Sequence, residues 1–89
     1  MNQRRTCKRY SREFKEEAVA DYDEAIRLNP NDDDAYNNRG IVKANLGQHE
    51  EAIADFDEAI RLNPNYAKAY SNRGIVKASL GQYLSLIHI

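Results

Sequence analysis

Tryptophan is absent from these 89 residues, cysteine and methionine occur once each, and histidine and proline occur twice. With Cys7 alone, no internal disulfide forms, and nothing implies an oxidising compartment. Cys7 also has no histidine near it in the sequence, so thiol catalysis is not indicated. The histidines, His49 and His88, are far apart, and no Cys/His/Asp group has metal-ligand spacing. His49 opens a helical segment and is expected as an exposed structural residue. The four glycines do not cluster into a phosphate-binding loop. No apolar run is long enough to span a membrane, and no apolar stretch follows the N-terminal charges, so neither a span nor a signal peptide is expected. The expectation that follows is a soluble, cytoplasmic protein with no metal or cofactor and no membrane span.

Acidic groups are plentiful, yet none reads as a catalytic pair. Asp55 and Glu58 share a helical side, but Asp21 and Glu24 do the same earlier in the chain, which marks a solvated face. Asp32, Asp33 and Asp34 lack the downstream ligands of a calcium loop. The net charge of −1 hides an asymmetry. Residues 1–15 hold six basic groups against the single acid Glu13, whereas the rest of the chain is acidic. A basic arm on an acidic body suits contact with nucleic acid or a membrane surface, and more commonly a solvated terminus.

What the chain does have is a period of 34 residues. Residues 15–48 fall on residues 49–82 with 26 of 34 positions identical. Such a period means stacked supersecondary units, each unable to bury its apolar face alone. In 49–62, Ala52, Phe56, Ala59 and Ile60 share one face and acids the other. Asn63-Pro64-Asn65 stops that helix, as Asn29-Pro30-Asn31 stops the one before it. The three aspartates then supply capping oxygens and negative charge to the next helix start. That helix runs to Leu46 and is closed by Gly47. Gly40 sits in its middle, where glycine costs about 1 kcal/mol against alanine. Close approach of a neighbouring helix is the expected return, with Ala52 as the counterpart. Helices are predicted near 15–29, 33–46, 49–62 and 67–81. The predicted core is Ala18, Tyr22, Ala25, Ile26, Tyr36, Gly40, Leu46, Ala52, Phe56, Ala59, Ile60, Tyr70 and Gly74.

Tyr36, Gly40, Gly47, Ala52, Phe56, Ala59 and Pro64, with Tyr70, Gly74 and Gly81 one unit on, resemble the signature of the tetratricopeptide repeat family. The resemblance covers residues 15–83 and implies an all-α, right-handed superhelical stack of antiparallel helix pairs. Arg39 and Arg73 depart from it, because the family usually carries leucine there. A buried arginine is costly unless paired, so both are expected at the groove edge with stems packed and acids as partners. Residues 1–14 read as a ragged basic segment and 15–83 as about two repeat units, the first and last incomplete. Residues 84–89 form a non-repeat tail. Residues 8–19 weakly resemble the opening of transposase helix-turn-helix proteins. Residues 84–89 (LSLIHI) resemble a translated sequencing-library adaptor and are expected to be disordered or poorly packed.

In such a stack the first helix of each pair lines a concave groove. The groove candidates are therefore Asn37, Asn38, Ile41 and Asn45, with Ser71, Asn72, Ile75 and Ser79 as their counterparts; Ala44 and Ala78 lie among them. Isoleucine at the centre does not fit a clamp for C-terminal carboxylates. Asn38 and Asn72 more closely resemble the asparagine ladder of the O-linked N-acetylglucosamine transferase repeats. An asparagine amide donates to and accepts from an extended peptide backbone, or equally bonds within the stack. The expected function is a non-catalytic scaffold for a protein or peptide, bound as an extended strand or partner helix. The alternatives are nucleic-acid binding through the basic arm, and a repeat segment of a larger enzyme. Fewer than three full repeats also predicts a loosely folded or self-associating chain, through the incomplete C-terminal repeat.

Overall fold

A computed structural model describes the backbone of residues 3–87 and the side chains of residues 12–82. The side chains of Cys7, of the basic residues Arg4, Arg5, Lys8 and Arg9, and of the 84–89 tail lie outside the described residues, as does His88. The described chain is four helices: α1 (Gln3–Leu28), α2 (Asp33–Asn45), α3 (His49–Leu62) and α4 (Ala67–Ile87). They zigzag, each packed on its sequence neighbour, and α2 also touches α4. Two layers result, α1 and α3 in one and α2 and α4 in the other. Among the described residues no helix is long and apolar enough to cross a membrane.

The connections follow from local chemistry. At both Asn-Pro-Asn turns the first asparagine accepts from the backbone N–H two residues on, Asn29 Oδ1 from Asn31 at 3.2 Å and Asn63 Oδ1 from Asn65 at 3.3 Å. Asp32 caps α2, its Oδ1 accepting from the Ala35 N–H at 3.2 Å. Gly47, at φ +84°, ends α2 with Gln48 N–H donating to the Lys43 carbonyl at 2.9 Å and Gly47 N–H to the Ala44 carbonyl at 3.0 Å. That is the double-bonded glycine C-cap, and it needs a left-handed residue there.

Both outer helices run past their predicted ends. α1 begins at Gln3, because nothing between Gln3 and Leu28 is proline or glycine and the segment is rich in good helix formers. α4 continues to Ile87 through the tail expected to lack helical order. Gly81 matches Gly47 in the repeat, yet α4 passes straight through it. Among residues 82–89 there is no proline to stop the helix, and among the described residues no helix folds back on it.

The core is small and centred on Phe56, which is fully buried with Ala52 and Val76, Ala44 and Ile53 closing around it. Gly40 is buried as expected, but its neighbour is Phe56 rather than Ala52: a Cβ on Gly40 would stand 2.7 Å from the Phe56 ring. Of the predicted core, Gly40, Ala52, Phe56 and Ala59 are buried, Ala18, Tyr22, Ala25, Ile26, Tyr36, Leu46 and Ile60 are half-buried, and Tyr70 and Gly74 are exposed. Tyr70 is 44% exposed, and Gly74 has open space where a Cβ would be. Both lie on the side of α4 that no helix among the described residues covers. Their counterparts Tyr36 and Gly40 are covered by α3.

Candidate functional site

The sequence places Asp34, Asn38, Ile41 and Asn45 on one line of α2, and Lys68, Ser71 or Asn72, Ile75 and Ser79 on the matching line of α4. Because α2 and α4 lie side by side in one layer, these lines meet in a shared open face. Its wider part is a groove of about 590 Å³ bordered by Asp34, Asn37, Asn38, Ile41, Tyr66, Ala67, Lys68, Ser71 and Asn72. A smaller hollow of about 170 Å³ continues from it, lined by Ile41, Ala44, Asn45, Phe56, Asn72, Ile75 and Val76. Ile41 and Asn72 border both, so the face is continuous. Seven of the eight candidates line it. Ser79 lies further along α4, exposed, and borders neither hollow.

The candidates differ in what they offer a ligand. Asn37 is 2% exposed, and its Oδ1 accepts from Asn72 Nδ2 at 3.2 Å. This bond holds α2 and α4 in register, and a buried amide so engaged is a structural group. Asn38 and Asn72 are half-buried at the groove wall, while Asn45 and Ser71 stand exposed. Ile75 is 66% exposed and borders the smaller hollow beside Ile41, Ala44 and Val76.

Sequence reasoning missed four residues of the wider groove: Asp34, Tyr66, Ala67 and Lys68. Asp34 and Lys68 sit one turn before Asn38 and Asn72, so extending the helical line into the first turn finds them. Tyr66 comes from the turn, where periodicity says nothing. Its hydroxyl donates to Asp34 Oδ1 at 2.5 Å, and burial, helped by that carboxylate, pushes its phenol up to about 12. Beside it, Asn63 Nδ2 donates to Asp33 Oδ2 at 2.9 Å. The three aspartates cluster closely enough to suggest a cation site. Each is already occupied, however: Asp32 as a cap, Asp33 by Asn63 and Asp34 by Tyr66.

The opposite side of α2 explains the arginine that replaces leucine. Arg39 does not lie at the groove edge; it turns toward the α1/α3 layer. Its Nε and Nη2 donate to the two oxygens of Asp55 at 2.9 and 2.7 Å, and its Nη1 donates to Asp23 at 2.7 Å. Lys43 adds a contact to Asp55 at 3.4 Å, and the guanidinium lies over the Tyr36 ring, 5.4 Å from its centre. Asp55, expected on a solvated face, is only 5% exposed. The two-pronged bond to Asp55 raises the Arg39 pKa above its ordinary value, against the opposing effect of burial. One arginine thus ties three helices together through carboxylates where a leucine would do so by packing alone.

His49 is half-buried rather than exposed, its Nδ1 shielded and without a partner among the described residues. It sits beside Leu80 at the start of α3, away from the α2/α4 face.

Comparison with known proteins agrees with this architecture. A tetratricopeptide repeat model matches residues 33–66, a second matches 56–85, and a TPR repeat model matches 9–47. No curated protein matches significantly. Among solved structures, the TPR2B domain of yeast Sti1 in its complex with pHsp70 is similar at a TM-score of 0.75 and 33% identity. The alignment covers 85% of this chain and 61% of that one, so the chain spans about three fifths of its length. Repeat period, Asn-Pro-Asn stops, the glycine under an aromatic ring and three overlapping family matches all agree, and the chain belongs to the tetratricopeptide repeat family.

Proposed function

We propose that the chain is a non-catalytic interaction scaffold that holds an extended peptide along the α2/α4 face. The observation that carries this reading is the composition of that face. Asn38, Ser71 and Asn72 offer amide and hydroxyl groups that donate and accept. Beside them Ile41 and Ile75 are exposed at 37% and 66%. An extended peptide brings the complementary set, unpaired backbone N–H and carbonyl groups with a side chain on alternate faces. Asp34 and Lys68, of opposite charge, flank the groove and favour a peptide of mixed charge over a polyanion. A similar domain, the TPR2B domain of yeast Sti1, is seen in a complex with pHsp70, which supports a protein or peptide partner of some kind here.

The test is selection of peptides from a random library on the 89-residue chain, followed by mapping of the best binder by backbone amide shifts. Perturbations should concentrate on α2 and α4, and Asn38→Ala and Ile75→Asp should each weaken binding about tenfold. Affinity should fall only shallowly with added salt. Duplex DNA bound with a steep salt dependence, and lost on removing residues 1–14, would overturn the scaffold reading in favour of the basic arm.

A further inference from the structure

The 34-residue period puts α1 and α3 in equivalent places, and likewise α2 and α4: residues 15–28 match 49–62, and 33–46 match 67–80. Their surroundings are not equivalent. α3 lies between α2 and α4, whereas among the described residues α1 packs against α2 alone. α2 is covered by α3, but among the described residues no helix covers the same side of α4. The consequence shows residue by residue. Ala52, Phe56 and Ala59 are fully buried, while Ala18, Tyr22 and Ala25 are only half-buried. Gly40 lies under the Phe56 ring; Gly74 faces open space. Asp55 is enclosed by Arg39 and Lys43; Asp21 stands exposed.

We propose that these two open faces are the halves of one interface, and that the chain associates head to tail, α1 of one copy docking on α4 of another as α3 docks on α2. Gly74 then receives Tyr22 of the next copy as Gly40 receives Phe56. Charge complementarity names this occupant. Arg73 donates through Nη1 to Asp57 at 2.6 Å, as Arg39 does to Asp23. The Nε and Nη2 edge that Arg39 gives to Asp55 has no carboxylate opposite it in Arg73 among the described residues. Asp21 of a second copy is the missing acid, with Lys77 beside it in the place of Lys43. The Tyr66–Asp34 contact becomes an Asp32–Lys68 ion pair. One bond is not reproduced, since the place of Asp33 is taken by Ala67. α1 and α4 would run antiparallel with no turn joining them, so their extra residues, 3–14 and 81–87, lie past the junction in the same direction. The faces differ, so the contact is heterologous and adds copies in an open row.

Two substitutions block the two halves separately at positions the fold of one copy leaves open. Gly74→Leu fills the pocket on α4, and Asp21→Lys sets like charge against Arg73 and Lys77. Sedimentation across the micromolar range should show the original chain growing beyond a dimer with concentration. Each variant alone should stay monomeric, its association weakened at least about tenfold, with unchanged helical circular dichroism. An equimolar mixture should form a dimer and nothing larger, since one variant keeps a free α1 and the other a free α4. A monomeric original chain overturns the proposal. So does an Asp21→Lys chain that associates as the original does, because α4 would then pair with itself.

Discussion

Alanine placed at Gly40 and at Gly74 should have opposite effects, although the two positions are identical in the repeat. Both substitutions gain the same helix propensity, about 1 kcal/mol. Only one meets an obstacle. At Gly40 the new Cβ would stand 2.7 Å from Phe56 Cε1 and 3.0 Å from Cδ1 and Cζ. Carbons rest about 3.5–4.0 Å apart, so the ring must withdraw by about 1 Å. It has nowhere to go, because Phe56 is fully buried against Ala52 and Val76. Overpacking of this kind costs about 1–3 kcal/mol. At Gly74 nothing lies within 4 Å. The propensity gain cancels between the variants, so their difference is the overpacking cost alone. For a domain of this size that separates the melting temperatures by at least about 4 °C. Thermal melts followed by circular dichroism, at dilutions where sedimentation shows single copies, measure it. Gly74→Ala should melt above the original chain and Gly40→Ala at or below it, with Gly40→Leu lower still. If Gly40→Ala melts as high as Gly74→Ala, the close packing of α2 on Phe56 does not constrain the fold.

Arg39→Ala leaves Asp55 buried with Lys43 as its nearest cation, and denaturant unfolding should show a loss of about 3 kcal/mol. Replacing both partners, Arg39→Leu with Asp55→Leu, should recover most of that loss, and a double-mutant cycle in which the single changes simply add would contradict the network. Tyr66→Phe should cost about 1 kcal/mol at neutral pH through its bond to Asp34. Because burial holds this phenol at about 12 when folded, its contribution is complete below the unfolded value near 10 and fades as pH rises from there toward 12. The stability gap between Tyr66→Phe and the original chain should therefore close over that window, and a constant gap would count against it. Asp32→Ala removes the α2 cap and should cost about 1 kcal/mol, read as faster amide exchange confined to the first turn of α2.

What the sequence made legible was whatever depends on a residue and its near neighbours. α3 begins and ends where its apolar period and its Asn-Pro stop place it, at His49 and Leu62. α2 begins where its aspartates cap it and ends at the turn of Gly47. The line of groove residues follows from helical spacing alone. The failures involve a second helix. That Gly40 needed a close neighbour was readable, but the identity of that neighbour depends on the vertical register of α3 against α2, which spacing within either helix does not contain. The burial of Asp55 was missed for the same reason. Its recurrence as Asp21 suggested solvent, yet Arg39 and Lys43 from another helix close over only one of the pair.

The repeat itself makes this separation unusually clean, because it presents the same residue twice with different neighbours. Leu-Gly-Gln appears at 46–48 and again at 80–82. In the first, Gly47 turns left-handed and α3 folds back onto α2; in the second, the helix runs on through Gly81. A glycine permits the left-handed turn without requiring it, and continuing as helix costs about 0.5–1 kcal/mol against alanine. What tips the first instance is the burial of Ala52, Phe56 and Ala59 that the turn makes possible. After Gln82 the sequence reads YLSLIHI rather than another EAIADF segment, so turning back would gain much less and helix continuation is preferred. The local code of the repeat therefore supplies options, and the presence of a partner surface selects among them. The same logic governs the α2/α4 face: Asn37 is sealed because Asn72 lies over it, whereas Ser71, its counterpart one repeat on, is exposed.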